Sequence, residues 1–355
     1  MTSDLFSVTA FLRASQLRSD LAQRNRLYAR SHAHVESYGG NPVVVYAPED
    51  SHHGNFYPPA YAAISAHAEW IRRFNKIHAQ GRSLPRPPID PARKWRELDS
   101  CMSSDALLMN IFCASEVTAS PALRRAIGID TESEPIFGWK ACVPLNSGRV
   151  DRTEVDMRWG DLLVEAKLTE SDFQCREAHI VEAYRDFDDV FDRELLPRVQ
   201  MRTRRRRQAV ELVEQFTQEW EPPCDRSEEV AREFQAGIEA RADAEQPWQS
   251  GYASYQLIRN VLGAHAARAS FCVVHDERRP DLRESWFQVM SAVKGADMRT
   301  RCKAITWQEI VPHLPAQLRD FLDVKYGIVA PGCIPLTIEE LEARAYHESK
   351  TGMRK

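Results

Sequence analysis

Between Arg152 and Glu170 the sequence reads RTEVDMRWGDLLVEAKLTE, a spacing that gathers carboxylates and a lysine onto one face of a tight hairpin. Gly160-Asp161 is a two-residue turn signal, so pairing counts outward from it: Trp159 faces Leu162, Met157 faces Val164, Asp156 faces Glu165 and Glu154 faces Lys167. Side chains alternate with period two, which predicts Val155, Met157, Trp159, Leu162, Val164, Ala166 and Leu168 on the opposite, core-forming face. Opposed residues on paired strands have β-carbons about 5 Å apart, and two carboxylates at that distance repel each other. A divalent cation between Asp156 and Glu165 resolves the conflict; a hard ion with oxygen ligands fits, so Mg2+ is expected, with Mn2+ able to substitute. Lys167, two positions beyond Glu165, can position or deprotonate a water and steady a phosphate, although the base role requires a lowered pKa. These are the parts that phosphodiester hydrolysis requires.

A blander chemistry competes with this one. Glu-x-Lys on a strand is common, and a Glu154–Lys167 salt bridge on an exposed hairpin would contribute under about 1 kcal/mol. The opposed pair Asp156 and Glu165 is what an ordinary sheet avoids. Glu154 reads either as an extra carboxylate near the metal or as the partner of Lys167, with the partner role favoured. Glu170 reads either as a brace at the far end of the site or as a cap on a following helix.

The elements that must position these groups can be sketched from periodicity. Helices are predicted over Leu5–Tyr28, which a Gly-Gly-Asn-Pro break at 39–42 closes, and over Tyr61–Gln80; the proline-rich 83–91 should be an irregular connector. Ala92–Ala114 reads as one or two helices, where Ser104, Asp105 and Asn110 could approach a metal, although Ser103 or Ser104 is equally natural as an N-cap. Ile136–Leu145 has strand character and gives three consecutive strands with the hairpin. From Phe173 to Ala244 the pattern is charged and helical, broken by Pro197 and Pro222-Pro223, with no strand expected. Helix over Gly251–Ala264, strand over Ala269–His275, helix over Glu284–Val293, strand over Cys302–Thr306 and helix over Pro315–Tyr326 follow, with a helix or frayed tail after Thr337. On the Gly251–Ala264 helix, Gln256, Arg259, Asn260 and Gly263 share one face of an otherwise apolar segment; lining a cleft, they could hold Lys167 or a backbone phosphate.

Composition narrows the classes. The 355 residues are 43% apolar and 28% charged, which predicts a globular chain of one large or two ordinary domains. A net charge of -4 excludes a surface coated in basic residues but leaves room for a local basic groove. Arg204, Arg205, Arg206 and Arg207 could grip a DNA backbone, or be the solvated face of a helix. Eight scattered cysteines without knuckle spacing predict reduced thiols, and His32, His34 and His52-His53 lack the companions of a zinc site. Trp70, Trp95, Trp139 and Trp159 read as core rather than base-stacking platforms. The first twenty residues carry Asp4, Arg13, Arg18 and Asp20 without an apolar block, and no run approaches membrane-spanning length, so a soluble, cytoplasmic protein is expected.

Several segments together resemble the PD-(D/E)XK nuclease superfamily. SSDALLMNIF (103–112) is similar to the SSQ-type helix of one restriction-endonuclease-like branch, EAKLTE (165–170) to its Glu-x-Lys-x-Thr-Glu motif, and YQLIRN (255–260) to its Gln-Leu-x-Arg-Asn helix; AITWQEIV and FLDVKYGI resemble its ending. The resemblance covers about Trp95 to Ile328, apart from the helical insertion. Asp105 departs from the pattern where glutamine is usual, and Asp156 is not preceded by proline. The resemblance implies an α/β fold with a restriction-endonuclease-like core, a mixed central β-sheet flanked by helices. It implies Asp156 and Glu165 as metal ligands with the Ala166 carbonyl, Lys167 as the catalytic lysine, and Gln256 as a further site residue. Glu154, Glu170, Ser104, Asp105, Arg259 and Asn260 are in supporting places. The expected organisation is a mainly helical extension over 1–90, a nuclease core over 91–330 with a helical insertion at about 173–247, and a tail over 331–355. The expected activity is metal-dependent cleavage of DNA, in restriction or defence. The alternative is a non-cleaving nucleic-acid-binding or structural protein on the same fold. A homodimer is compatible with the sequence, which leaves the oligomeric state open.

Overall fold

A computed structural model describes residues 12–37, 43–78, 84–202 and 248–352. The four arginines at 204–207 and Cys224 lie outside the described residues.

The molecule is organised around one five-stranded mixed sheet. Strands β1 (Ile136–Lys140), β2 (Glu154–Trp159) and β3 (Leu162–Ala166) form an antiparallel meander, and β4 (Ser270–His275) and β5 (Cys302–Thr306) extend it in parallel, in the order β5-β4-β3-β2-β1. Helices α1 (Ala14–Tyr28), α2 (Ala68–Phe74), α3 (Ser104–Phe112), α4 (Tyr255–Ala267), α5 (Pro280–Ser291), α6 (Ala316–Tyr326) and α7 (Ile338–Gly352) surround it. This is the α/β sandwich expected of a restriction-endonuclease-like core. Central position explains the composition of β3: every residue from Leu162 to Ala166 is buried, because a strand flanked on both edges and covered on both faces has no solvated side.

Two apolar cores lie on the two faces. One holds Met157, Trp159, Leu162, Val164, Ala166, Cys272 and Val274 against α3, together with Leu17 and Leu21 of α1 and Phe56, Trp70 and Phe74 from the N-terminal region. The other holds Leu163, Phe271 and Val273 against Leu257, Ile258, Val261 and Leu262 of α4 and against α5. The N-terminal segment therefore shares a core with β2 and β3. No helix among the described residues is long and apolar enough to cross a membrane.

The hairpin turns at Gly160 (φ 60°), and Trp159–Leu162 and Met157–Val164 pair as the turn dictates. Beyond them the expected register fails. The ladder between β2 and β3 stops at Met157–Val164, so Asp156 is not registered opposite Glu165, nor Glu154 opposite Lys167. Val155 also lies in the second core, on the opposite face from Met157. The cause is a kink shared with β1: Gly138, at φ 65°, falls between the registered pairs Phe137–Met157 and Trp139–Val155, and alternation changes hands there.

Other expectations need correction. The expected helix over 61–80 is, within its described residues, two helices, Pro58–Ala66 and α2, broken at an extended His67. In the expected helical insertion, the described flanks carry strands: Arg176–Glu177, Arg198–Arg202 and Trp248–Tyr252 form a three-stranded antiparallel sheet. Its signal is the alternation Arg198-Val199-Gln200-Met201-Arg202, which the adjoining arginine run obscured, and Gly251 makes room for it: a Cβ there would stand 2.5 Å from Met201 Sδ. Trp70, Trp95 and Trp159 are buried, whereas Trp139 is half-buried beneath Arg158. The seven described cysteines are free.

Candidate active site

The kink at Gly138 is what delivers Asp156. Where the β2–β3 ladder ends, the Asp156 carboxylate takes the place of a ladder acceptor, receiving the Ala166 N–H at 2.7 Å. Glu165 and Lys167 point to the α4 side of β3, and both are nearly solvent-free, at 2% and 4% exposure. Lys167 Nζ donates to Glu165 Oε1 at 2.8 Å and lies 5.5 Å from the centre of the Phe173 ring. The partnership of Glu154 with Lys167 does not occur: Glu154 is bonded by Lys76 at 3.1 Å.

Helix α4 closes the site from one side. Asn260 Nδ2 donates to Glu165 Oε2 at 2.8 Å, and Arg259 donates to Asn260 Oδ1 at 3.0 Å and to the Glu154 carbonyl at 3.4 Å. Of the polar stripe read from the sequence, Arg259 and Asn260 are thus buried and hold Glu165 and β2, not Lys167. Gln256 bonds no described side chain, and its buried Oε1 is left without a partner. Helix α3 closes the other side. Ser103 caps it by accepting the Ala106 N–H, while Ser104 Oγ donates to Glu170 Oε1 at 2.7 Å. Glu170 also receives the Leu168 N–H at 2.7 Å, so it braces the segment after β3 against α3. Asp105 is bonded by Arg73. Asn110 lies elsewhere, buried between the Tyr57 N–H and the Asn55 carbonyl.

The electrostatics follow from crowding. Burial, then Glu165 and Asp105, push the Asp156 carboxyl well above the ordinary carboxylate range, against Lys167 and the Ala166 N–H. Burial raises Asp105 too, with Glu97, Glu165 and Glu170 adding to it and Arg73 opposing. Burial would lower Lys167, yet Glu165, followed by Glu170 and Asp156, outweighs it and the ammonium is held more firmly than usual. Among the described residues no three His, Cys, Asp or Glu side chains are arranged to hold a metal ion.

Sequence reasoning missed the groups that fix the strand end from a distance. Trp307 Nε1 donates to the Lys167 carbonyl at 2.9 Å, Arg18 to the Thr169 carbonyl at 3.3 Å, and the fully buried Arg279 to the carbonyls of Glu170 and Ser171 at 2.9 and 3.0 Å. Only Trp307 carried a signal, as part of AITWQEIV. Arg73 and Lys76, on or just after α2, had none.

No curated protein and no solved structure matches the chain. A family model does, over residues 22–327 of 355, and it takes in most of the N-terminal segment along with the sheet and both flanking helices of the cleft. The chain belongs to that family, Restriction Endonuclease associating with ARP.

Proposed function

We propose that this restriction-endonuclease family member hydrolyses phosphodiester bonds of DNA with a divalent metal, Mg2+ or Mn2+, in a restriction or defence role. The observation that carries the reading is the convergence of Asp156, Glu165 and Lys167 at the point where β2 and β3 part. The donor chemistry fits: the carboxylates of Asp156 and Glu165 with the Ala166 carbonyl are hard oxygen ligands, and the strongly raised Asp156 carboxyl marks a site short of positive charge. Two carboxylates and a main-chain oxygen leave positions for water, which Mg2+ retains readily. Each carboxylate oxygen has two acceptor positions, so Glu165 can keep Lys167 and Asn260 while binding an ion. When bound, such an ion would lower the pKa of a water and offset charge on the phosphate.

The chain's own groups supply the rest. Lys167, its proton held by three carboxylates, suits hydrogen-bond donation to a scissile phosphate oxygen better than proton abstraction. Asn260 fixes the carboxylate plane of Glu165, and Glu170 and Ser104 hold the strand end. The orphaned Gln256 Oε1 is an acceptor for the attacking water or for a donor on the substrate. The family's description supplies ARP as a candidate partner.

The test is incubation of the full chain with plasmid and Mg2+ or Mn2+, beside Asp156→Ala and a chelator control. Nicking or linearisation by wild type, abolished by the substitution and by chelation, is expected. Metal binding without cleavage would favour a non-cleaving nucleic-acid-binding protein, and absence of metal binding would leave only a structural role.

A further inference from the structure

Helix α2, from the N-terminal segment, reaches the Asp156 end of β2 through Arg73. Arg73 has only 8% of its side chain exposed, donates through one terminal nitrogen to Glu97 at 3.2 Å and through the other to Asp105, and leaves its Nε buried without a partner. Its stem crosses the kink that presents Asp156: a Cβ on Gly138 would stand 3.0 Å from Arg73 Cδ and 3.5 Å from its Nε. Glycine at 138 therefore serves both the positive φ and the close passage of this side chain. Three residues on, Lys76 bonds both Glu97 and Glu154, at 3.3 and 3.1 Å. Two cations from a segment outside the hairpin thus pair with Glu97, Asp105 and Glu154, and Asp105 in turn feels the charge of Glu165 and Glu170.

Arg73 has five N–H donors; its two terminal nitrogens reach Glu97 and Asp105, while its buried Nε–H lies over Gly138 without an acceptor. The fork geometry matters: guanidinium can span Glu97 and Asp105 together, whereas an ammonium is a point charge. We infer that Arg73 is a positioning residue of the proposed metal centre, a built-in counter-cation from α2 that locks Asp105 in place and offsets the crowded carboxylates. The inference rests on the nuclease reading but makes a separate demand. Arg73 repels an incoming dication while holding the cleft in shape, so its removal should move metal affinity and turnover in opposite directions.

The experiment is Mn2+ titration of the full chain by calorimetry together with plasmid-cleavage kinetics for wild type, Arg73→Gln and Arg73→Lys, each checked for folding by its thermal transition. For Arg73→Gln, Mn2+ binding about fivefold tighter is expected from the lost like charge, with turnover about tenfold lower from the released Asp105 and KM for DNA nearly unchanged. Arg73→Lys should restore wild-type Mn2+ affinity and recover only part of the turnover, since the charge returns without the fork. Unchanged affinity in Arg73→Gln, or affinity and turnover falling together as they would for a merely structural arginine, overturns the inference. A wild type that binds Mn2+ but cuts nothing sinks the nuclease reading alone, because the predicted tightening in Arg73→Gln remains measurable.

Discussion

Two lysines of this chain are buried almost equally and in opposite company. Lys167, 4% exposed, stands among Glu165, Glu170 and Asp156, which hold its proton more firmly than in water. Lys325, fully buried on α6, has a single hydrogen bond to the Gly54 carbonyl at 3.0 Å and otherwise faces rings, with Tyr46 at 3.9 Å, Tyr28 at 5.1 Å, Tyr326 at 5.8 Å and Phe321 at 5.9 Å. Burial pushes its pKa well below the ordinary value, with Cys101 the one group pulling the other way. Burial is thus common to both, and it sets the outcome only where no carboxylate opposes it. What differs is whether the fold also buried carboxylates beside the amine. Uncompensated burial of an ion is so costly that it neutralises, so a lysine kept charged inside a protein marks a place where negative charge has been gathered for another reason. Around Lys325 nothing requires a charge. Around Lys167 the excess of carboxylates is what a bound dication would use.

The widest separation between the two should appear in cleavage. Lys167→Met should reduce plasmid cleavage by at least about a thousandfold, because it removes both a donor and a charge from the phosphate, and should leave Mn2+ binding largely intact. Lys325→Met, similar in volume and at a position with no contact to Asp156, Glu165 or Lys167, should cut at the wild-type rate. Equal activity of Lys167→Met and wild type would erase the distinction between the two sites.

A smaller effect should come from the group that orients Glu165. Asn260→Ala removes the donor on Oε2 while sparing the Lys167 contact on Oε1. Loss of an outer hydrogen-bond partner to a ligating carboxylate weakens metal binding or activity by about ten- to a hundredfold. Both Mn2+ affinity and turnover should therefore fall here, the reverse of the split expected for Arg73→Gln. If Asn260→Ala binds Mn2+ as wild type does, Glu165 needs no orienting and its place as a ligand is in doubt.

How much of this was legible depended on distance along the chain. The turn at Gly160, the pairing next to it and the strand Cys302–Thr306 follow from patterns within a few residues, whereas Asp156 reaches Ala166 only because the alternation breaks at the Gly138 kink. The register beyond Met157 was not legible, since it is set by Gly138 on another strand, and a glycine in a sequence does not announce a positive φ. Arg73 and Asp105 are 32 positions apart, and Arg18 and Thr169 151 apart, so no local pattern joins them. The N-terminal segment read as an extension because its helices look like any other amphipathic run; only tertiary packing places Trp70 and Phe74 in the same core as Trp159 and brings α2 to the cleft.

The smallest difference should appear in stability as pH rises, where the two lysines pull in opposite senses. Lys325 has a lowered folded pKa, so between that value and the ordinary lysine range of about 10.4 the unfolded chain binds the extra proton and stability climbs with pH. Lys167 has a raised folded pKa; its contribution is complete below about 10.4 and is lost only as pH climbs past that toward its folded value. Between the lowered folded pKa of Lys325 and about pH 10, the slope assigned to lysines therefore belongs to Lys325. Urea unfolding across that window should show stability rising with pH in wild type and in Lys167→Met, and a flatter profile in Lys325→Met. Parallel profiles for wild type and Lys325→Met would mean that the rings and the Gly54 carbonyl hold Lys325 as a cation, and that aromatic faces can do for one buried amine what carboxylates do for the other.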